Sequence, residues 1–511
     1  MLLDLNALRA SGENVPAEWR PYVDVGASGF VVRGDRTSAR ELFLSTVANR
    51  VLLGDRLDEL LPALPEGHDL DPFGISSLLH HGLIPPPFSE YTGIMFLTMG
   101  DVVSVGWEHD VPVVSEGVEY PWFADLSRGD SDPSETELLD LLTAATVRDV
   151  AGHGGQGFLM LSSGKDSVAI ALALAEAGLT DIPCVTYSSG DADPEPEVAA
   201  EVCAKLGLRH EVVELPNDPS RVAAQLTTFF ETSPAMSADL AQIPYVLAVA
   251  AANAEGGVVL DGGGNDAYMG FPVTGKWTVK TRYRIRGRAL QRVAQRMTRV
   301  DSPLNYLARS RFETVVSGRM MRHHESLRLY PDSVNTSDHW AELSNRNRDL
   351  DMFDAYTILD RYITSPSSMR KHILAARAFG YEPGVPWCDH DLGDYFFNLP
   401  EPDRFDRSSG TGKVLLRRML KRFLDYDADE VGKHYFAFDG PRFIAENKEF
   451  VRSEIAACGL WRADGVAMLH SWIDQIDKRP LLYHPILTAF VVSGWVNHSG
   501  FLSDVRSEVQ Q

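Results

Sequence analysis

The alternation of strand and helix patterns between residues 157 and 261 constrains the fold more than any other feature of this sequence. The apolar runs GFLML, IPCVTYS, HEVVEL and GGVVL read as strands, and helical patterns follow the first three. Repeated strand–helix units form a parallel sheet covered on both faces, because each crossover lays a helix on the sheet. We therefore predict an α/β domain, with a mainly helical region from about residue 275 to the end.

The segment LSSGKDS, residues 161–167, follows the first of these strands. Ligands of open α/β sheets bind at the carboxyl ends of strands. A turn of Ser162, Ser163 and Gly164 directs backbone N–H groups into one concavity at a helix N-terminus, which favours an anion such as pyrophosphate. A carboxylate is unexpected in a site for an anion, and the presence of Asp166 is explained if it binds Mg²⁺ that bridges phosphate oxygens. The alternative is a tight strand–helix connection in which Asp166 favours the helix dipole.

A second carboxylate follows another strand of the same sheet. The segment VVLDGGGNDAYMGF, residues 258–271, places Asp266 in a glycine turn after an apolar strand. Two carboxylates from neighbouring strand ends suit an octahedral ion that also holds a triphosphate. The alternative is a glycine turn in which Asp266 caps a helix.

These two segments resemble a known family. LSSGKDS does not fit the pattern GxxxxGK followed by Ser or Thr. It resembles the SGGxDS loop of the ATP pyrophosphatases, with Ser163 where Gly is usual. The Asp266 segment resembles the LSGxGxDExxGGY segment of asparagine synthetases and β-lactam synthetases. The resemblance implies an α/β synthetase domain of the PP-loop type, related to adenine nucleotide α-hydrolases. It also implies ATP and Mg²⁺ as cofactors, with Asp166 and Asp266 as metal ligands.

The same resemblance assigns the nucleotide to the loop, to the second strand near residues 185–188 and to the glycine turn. The residues predicted to bind ATP are Leu161, Ser162, Ser163, Gly164, Lys165, Asp166, Ser167, Val185, Tyr187, Gly262 and Gly263.

Two later segments extend the resemblance. GYEPGVPWCDHDLGDYFFNLP, residues 380–400, resembles VEARVPFLDxxLxxxxxxLP, with Glu382 at the family's glutamate and Gly384 where the family usually has Arg. Residues 412–440 resemble a late segment in which two lysines are spaced as Lys413 and Lys433 are here. The resemblance implies that Lys413 holds phosphate, that Lys433 stabilises charge during acyl transfer, and that Glu382 is the base. Without the resemblance, Glu382, Lys413 and Lys433 would each be interpreted as a solvated surface charge.

The sequence divides into three parts. Residues 1–125 contain short strands and a helix, 126–134 form a polar linker, and 135–511 form the synthetase domain. Within the first part, residues 74–105 resemble the second half of a glutaminase domain of the Ntn type. Glutaminases of this kind use an N-terminal cysteine, whereas the first cysteine here is Cys184. We therefore expect a degenerate α+β domain without glutaminase activity.

Composition excludes several classes of partner. The net charge of −23 disfavours binding to nucleic acid or to anionic membranes, and the longest late apolar run, PILTAFVVSGW, is too short to cross a bilayer. Four widely spaced cysteines fit reduced, buried thiols in a cytoplasmic enzyme. Residues 276–299 carry nine basic residues and no acid. We interpret them as the solvated face of an amphipathic helix, with a docking surface for an acidic substrate as the alternative.

Together these features predict an ATP-dependent ligase that adenylates a carboxylate, releases pyrophosphate and passes the acyl group to an amine without glutamine. Its partners would be a small-molecule or peptide carboxylate and an amine, in natural-product biosynthesis. One alternative is a lactam or macrolactam cyclase similar to β-lactam synthetases or lasso-peptide cyclases. Gly263 stands where β-lactam synthetases carry a catalytic Tyr. Another alternative is a catalytically inactive protein, a silent scaffold, that kept the fold. The oligomeric state stays open, with a homodimer as one option.

Overall fold

A computed structural model describes most of the chain. The described residues are 1–26, 29–64, 69–119, 132–188, 190, 193–252, 256–269, 285, 287–297, 302, 307–316, 320–350, 352–359, 365–431 and 438–502. They form an N-terminal antiparallel part and a larger α/β part built on a parallel sheet, so the predicted fold class is confirmed.

The N-terminal part contains two four-stranded antiparallel sheets, with strand orders β1-β5-β4-β6 and β2-β3-β7-β8. The strands and the helix predicted from the sequence are present. Its elements are β1 (Leu2–Asp4), α1 (Leu5–Ser11), β2 (Val23–Gly26), β3 (Gly29–Arg33), β4 (Leu42–Ser45), β5 (Leu52–Gly54), α2 (Leu57–Ala63), α3 (Pro72–His81), β6 (Ile94–Leu97), β7 (Asp101–Glu108) and β8 (Val111–Val118).

The central sheet of the α/β part has five parallel strands in the order β11-β10-β9-β12-β13. The predicted alternation of strands and helices is confirmed, and the Ser134 hydroxyl caps α4 by accepting the Glu137 N–H at 3.2 Å. The elements are α4 (Glu135–Gly152), β9 (Gly157–Met160), α5 (Lys165–Glu176), β10 (Cys184–Ser188), α6 (Glu195–Leu206), β11 (His210–Glu214), α7 (Pro219–Thr232), α8 (Gln242–Ala251), β12 (Val258–Leu260) and β13 (Glu382–Gly384).

The remaining described residues are mainly helical, as predicted. In the described ranges, no helix is both long enough and apolar enough to cross a membrane. The elements are α9 (Asp266–Met269), α10 (Arg288–Met297), α11 (Arg311–Val316), α12 (His323–Leu329), α13 (Ser337–Arg346), α14 (Met352–Leu359), α15 (Ser365–Ala378), α16 (His390–Asn398), α17 (Glu401–Arg404), β14 (Phe405–Asp406), β15 (Thr411–Gly412), α18 (Val414–Leu424), α19 (Ala428–Val431), α20 (Gly440–Glu446), α21 (Lys448–Ala457), α22 (Ala463–Ile473) and α23 (Tyr483–His498).

The two parts share one core. A single hydrophobic cluster joins Phe43 and Ile75 of the N-terminal part to Phe158 of β9 and Phe490 of α23. All four cysteines are buried thiols outside any disulfide, as expected. Because apolar burial is the main favourable term in folding, this shared cluster holds the N-terminal part against the α/β part.

A buried ion pair network crosses the same boundary. Arg370 of α15 is 6 % exposed, with its Nε 3.1 Å from Glu41 Oε1 and its Nη1 2.8 Å from Glu90 Oε1. The guanidinium also lies 4.6 Å from the centroid of the Phe96 ring. One arginine therefore compensates two buried carboxylates of the N-terminal part.

We expect Arg370→Met to lower the free energy of unfolding by about 3–5 kcal/mol, because it leaves two buried carboxylates without their cation. Chemical denaturation measures the change. The matched control is Arg36→Met, which removes an exposed pair with Asp394 at 2.9 Å across the same boundary and should cost less than about 1 kcal/mol. Equal losses of unfolding free energy in the two variants would contradict the assignment of Arg370 as the cation that compensates Glu41 and Glu90.

Candidate active site

The Lys413 ammonium is the centre of the candidate site. Its Nζ lies 2.7 Å from Asp166 Oδ2, 2.7 Å from Asn265 Oδ1 and 2.7 Å from Asp266 Oδ1. The Asn265 amide also donates to Asp166 Oδ1 at 2.7 Å. These side chains come from the first turn of α5, from the glycine turn after β12 and from the residue before α18. The structure thus brings together both predicted metal ligands and the predicted phosphate-binding lysine.

Charge pairing stabilises this cluster. Burial opposes the charge of Lys413, but Asp166 and Asp266 raise its pKa to about 12. Burial likewise opposes the charge of Asp166, but Lys413 and Lys165 hold the pKa of that carboxyl below its usual value. Lys413 and Asp166 are therefore both ionised at neutral pH.

The backbone of Lys413 is strained. It caps α18 with φ 60° and ψ 43°, the left-handed conformation. A residue with a Cβ pays about 1–2 kcal/mol for this conformation. A glycine would relieve the strain but would remove the ammonium that pairs with Asp166 and Asp266.

The turn of residues 162–164 is held by internal hydrogen bonds. The Ser162 N–H donates to Ser167 Oγ at 3.1 Å, and the Gly164 N–H donates to Ser162 Oγ at 3.1 Å. The N–H and the hydroxyl of Ser163 both donate to the Glu195 carboxylate, the hydroxyl at 2.8 Å. The three amide donors of this turn therefore already have acceptors within the chain, and its role as an anion cradle stays a prediction.

Glycines bring the two loops together. A Cβ on Gly262 would lie 2.8 Å from the Ser167 nitrogen and 3.2 Å from the Asp166 carbonyl carbon, both backbone atoms. Gly264 has φ +100°, and a Cβ there would lie 2.3 Å from Cys388 Sγ. Only a glycine at position 262 lets the turn after β12 approach the start of α5 this closely.

Sequence reasoning missed a hydrogen-bonded chain at the same sheet edge. Asp261, the first residue after β12, accepts the Tyr245 hydroxyl at 2.9 Å, and the Tyr245 oxygen lies 2.6 Å from His372 Nδ1. Because Tyr245 has one hydroxyl hydrogen, His372 Nδ1–H must be the donor to the Tyr245 oxygen. Asp261 also accepts the Gly263 N–H at 2.7 Å. Nothing in the sequence signals this chain, since α8 and α15 are far apart in it.

The predicted nucleotide-binding residues on β10 and at the end of β9 differ in how far their side chains are exposed. Val185 is 2 % exposed and lies in the core. Tyr187 is half-buried near the carboxyl end of β10. Leu161 is buried, and its carbonyl accepts the Thr186 hydroxyl at 2.9 Å. Of Val185 and Tyr187, only Tyr187 has a partly exposed side chain.

Glu382 lies away from the cluster. It begins β13, where the parallel register pairs it with Val258, the first residue of β12. The loops of the candidate site follow the other ends of these strands. The Glu382 carboxylate accepts a hydrogen bond from Arg56 Nη1 at 3.1 Å and lies 3.8 Å from Arg377 Nε. The structure does not bring Glu382 to Lys413, and its role as a base stays a prediction.

Packing explains Gly384, which stands where arginine is usual. A Cβ at this position would lie 2.5 Å from Val258 Cγ2 and 2.7 Å from Leu260 Cδ2. The sheet therefore has no room for an arginine side chain here.

Two predictions fall outside the described residues. Lys433 lies in the segment 432–437, which is outside them. Half of the basic segment 276–299 is also outside, and the described part is residue 285 and residues 287–297.

The side chains at the cluster fit Mg²⁺. In the part of the chain that the structure describes, no group of three or more His, Cys, Asp or Glu side chains converges on a metal position. Mg²⁺ is commonly held by one or two carboxylates together with substrate phosphates. Asp166 and Asp266 provide two such carboxylates, and the Asp266 side chain is 42 % exposed.

The comparison with known families agrees with this geometry. The profile of the asparagine synthase family matches residues 137–491, more than half of the chain. The protein belongs to the asparagine synthase family, and its activity is of the ATP-dependent, amide-forming kind. No curated protein matches the chain.

We expect Lys413→Met to weaken MgATP binding by about 100-fold or more, because it removes the cation between Asp166 and Asp266. Isothermal titration calorimetry measures the affinity. The control is Lys421→Met on the same helix, which removes an exposed pair with Asp425 at 2.9 Å and should leave the affinity unchanged. Wild-type affinity in Lys413→Met would contradict the assignment.

Proposed function

We propose that the protein is an AMP-forming carbon–nitrogen ligase that uses no glutamine. The observation that supports this most is the Lys413 ammonium, which lies 2.7 Å from carboxylate oxygens of Asp166 and Asp266 beside a turn typical of pyrophosphate loops. A strained, buried lysine between two carboxylates favours this proposal over a silent scaffold.

In this proposal the turn of residues 162–167 and Lys413 hold the phosphates of ATP. Asp166 and Asp266 would hold Mg²⁺, which neutralises phosphate charge when bound. An oxygen of the substrate carboxylate attacks the α-phosphorus, so that one O–P bond forms and the bond to pyrophosphate breaks. The positive charge of Lys413 stabilises the departing pyrophosphate.

In the second step the amine nitrogen attacks the acyl carbon. The new C–N bond replaces the C–O bond to AMP, and the amine gives up a proton. Lys433 is proposed to stabilise the charge on the acyl oxygen and on AMP. Glu382 is the base that the resemblance implies. Asp261 is a second candidate for the base, because it lies at the sheet edge where the acyl-adenylate forms. Glu382 lies at the start of β13, at the opposite edge of the sheet.

The amine source follows from the N-terminal part. Residues 1–183 contain no cysteine, so the described N-terminal sheets offer no thiol nucleophile for glutamine hydrolysis. We infer that ammonia or a substrate amine is used directly. The carboxylate belongs to a small molecule or a peptide, and a role in natural-product biosynthesis is part of the proposal.

A cyclase is the alternative within the same chemistry. In it, the carboxylate and the amine belong to one molecule. Closure of a β-lactam by the tyrosine-dependent route is disfavoured, because Gly263 stands where that route needs a tyrosine. A macrolactam or other amide ring needs no side chain at that position.

We expect wild-type protein to release AMP and pyrophosphate in equal amounts from MgATP when a panel of carboxylates is offered with ammonia and amines. Asp166→Asn should lower the rate about 100-fold or more, because it removes a ligand charge from the phosphate site. The control Asp140→Asn, on the exposed side of α4, should keep the wild-type rate. Release of ADP instead of AMP, or no pyrophosphate with any acid, would contradict the proposal.

A further inference from the structure

The turn of residues 162–164 already holds an anion that belongs to the chain. Ser163 is 2 % exposed, and its N–H and hydroxyl both donate to the carboxylate of Glu195. Glu195 is the first residue of α6, so the contact joins two neighbouring strand–helix units. A carboxylate bound by one amide N–H and one hydroxyl occupies donors of the type that a phosphate oxygen would use.

The other amide groups of the turn are held differently. The acceptors of the Ser162 and Gly164 N–H groups are the hydroxyl oxygens of Ser167 and Ser162. A neutral hydroxyl can rotate, so its oxygen can share the N–H donor with a phosphate oxygen at little cost in free energy. Among the acceptors described for these three N–H groups, Glu195 alone carries a charge, and it repels a second anion.

We propose that Glu195 is a resident anion of the turn, which weakens the binding of pyrophosphate by keeping the Ser163 donors for itself. The inference rests on the proposed function, in which this turn holds pyrophosphate. Bound phosphate must either displace the Glu195 carboxylate or lie beside it at a Coulomb cost. In both cases pyrophosphate is held less tightly and leaves more readily after adenylation.

The bond to Glu195 gives a reason for a serine at position 163, where glycine is usual. A glycine at position 163 would keep the N–H but would lose the hydroxyl that binds Glu195 at 2.8 Å. Tyr426 supports the turn from the other side, because its hydroxyl donates to the Ser163 carbonyl. The turn therefore has a second anchor and does not depend on the Glu195 charge for its conformation.

The test uses the full chain and inorganic pyrophosphate with MgCl₂, with affinities from calorimetry. Glu195→Gln keeps a carbonyl acceptor but removes the charge, and should bind pyrophosphate about tenfold more tightly than wild type. Ser163→Gly should give part of this gain. The gains should not add in the double variant, because both changes release the same donors.

The matched control is Glu197→Gln, which removes the same charge from an exposed position in the same first turn of α6. Its affinity should stay within about twofold of wild type, because the distant charge is screened. The proposal is supported if Glu195→Gln binds pyrophosphate more tightly than wild type and Glu197→Gln does not. Unchanged or weaker binding in Glu195→Gln, with wild type binding measurably, overturns it while leaving the proposed function intact. If no variant binds pyrophosphate or MgATP, the proposed function fails and this inference fails with it.

Discussion

The contact on which the site depends is that between the Lys413 ammonium and the oxygens of Asp166, Asn265 and Asp266, each at 2.7 Å. Two carboxylates this close would repel each other without a cation between them. The lysine also connects residues that are far apart in the chain, since the segment before α18 meets the loops after β9 and β12. Both the electrostatics and the shape of the site therefore follow from one buried charge.

Packing makes this contact achievable. The glycine turn reaches the start of α5 because Gly262 has no side chain, and the Trp387 indole N–H fixes the same turn of α5 by donating to the Asp166 carbonyl at 3.0 Å. The N-terminal part contributes indirectly. Its sheets share a core with the parallel sheet, and Arg370 of α15 joins them through Glu41 and Glu90. The N-terminal part is thus packed into the same structure as the parallel sheet.

Much of this was predictable from the sequence. Asp166 and Asp266 each follow an apolar strand, and the carboxyl ends of parallel strands meet at one sheet edge. Lys413 was identified by its family spacing. The position of Glu382 was not predictable, because the strand β13 has three residues and its register with β12 is set by tertiary pairing. Glu195 and the Tyr245–His372 chain were missed because contacts between residues that are distant in the chain leave no local pattern.

The Lys413 cluster also requires the glycine turn to lie against the start of α5, where a Cβ on Gly262 would meet backbone atoms of Ser167 and Asp166. The most direct measurement is the MgATP dissociation constant of Gly262→Ala, compared with Gly152→Ala, where a Cβ would meet nothing within 4 Å. The account predicts at least tenfold weaker binding for Gly262→Ala, because the new methyl group pushes backbone atoms of Ser167 and Asp166 away, and wild-type binding for Gly152→Ala. Equal, undiminished affinity in both variants would contradict it.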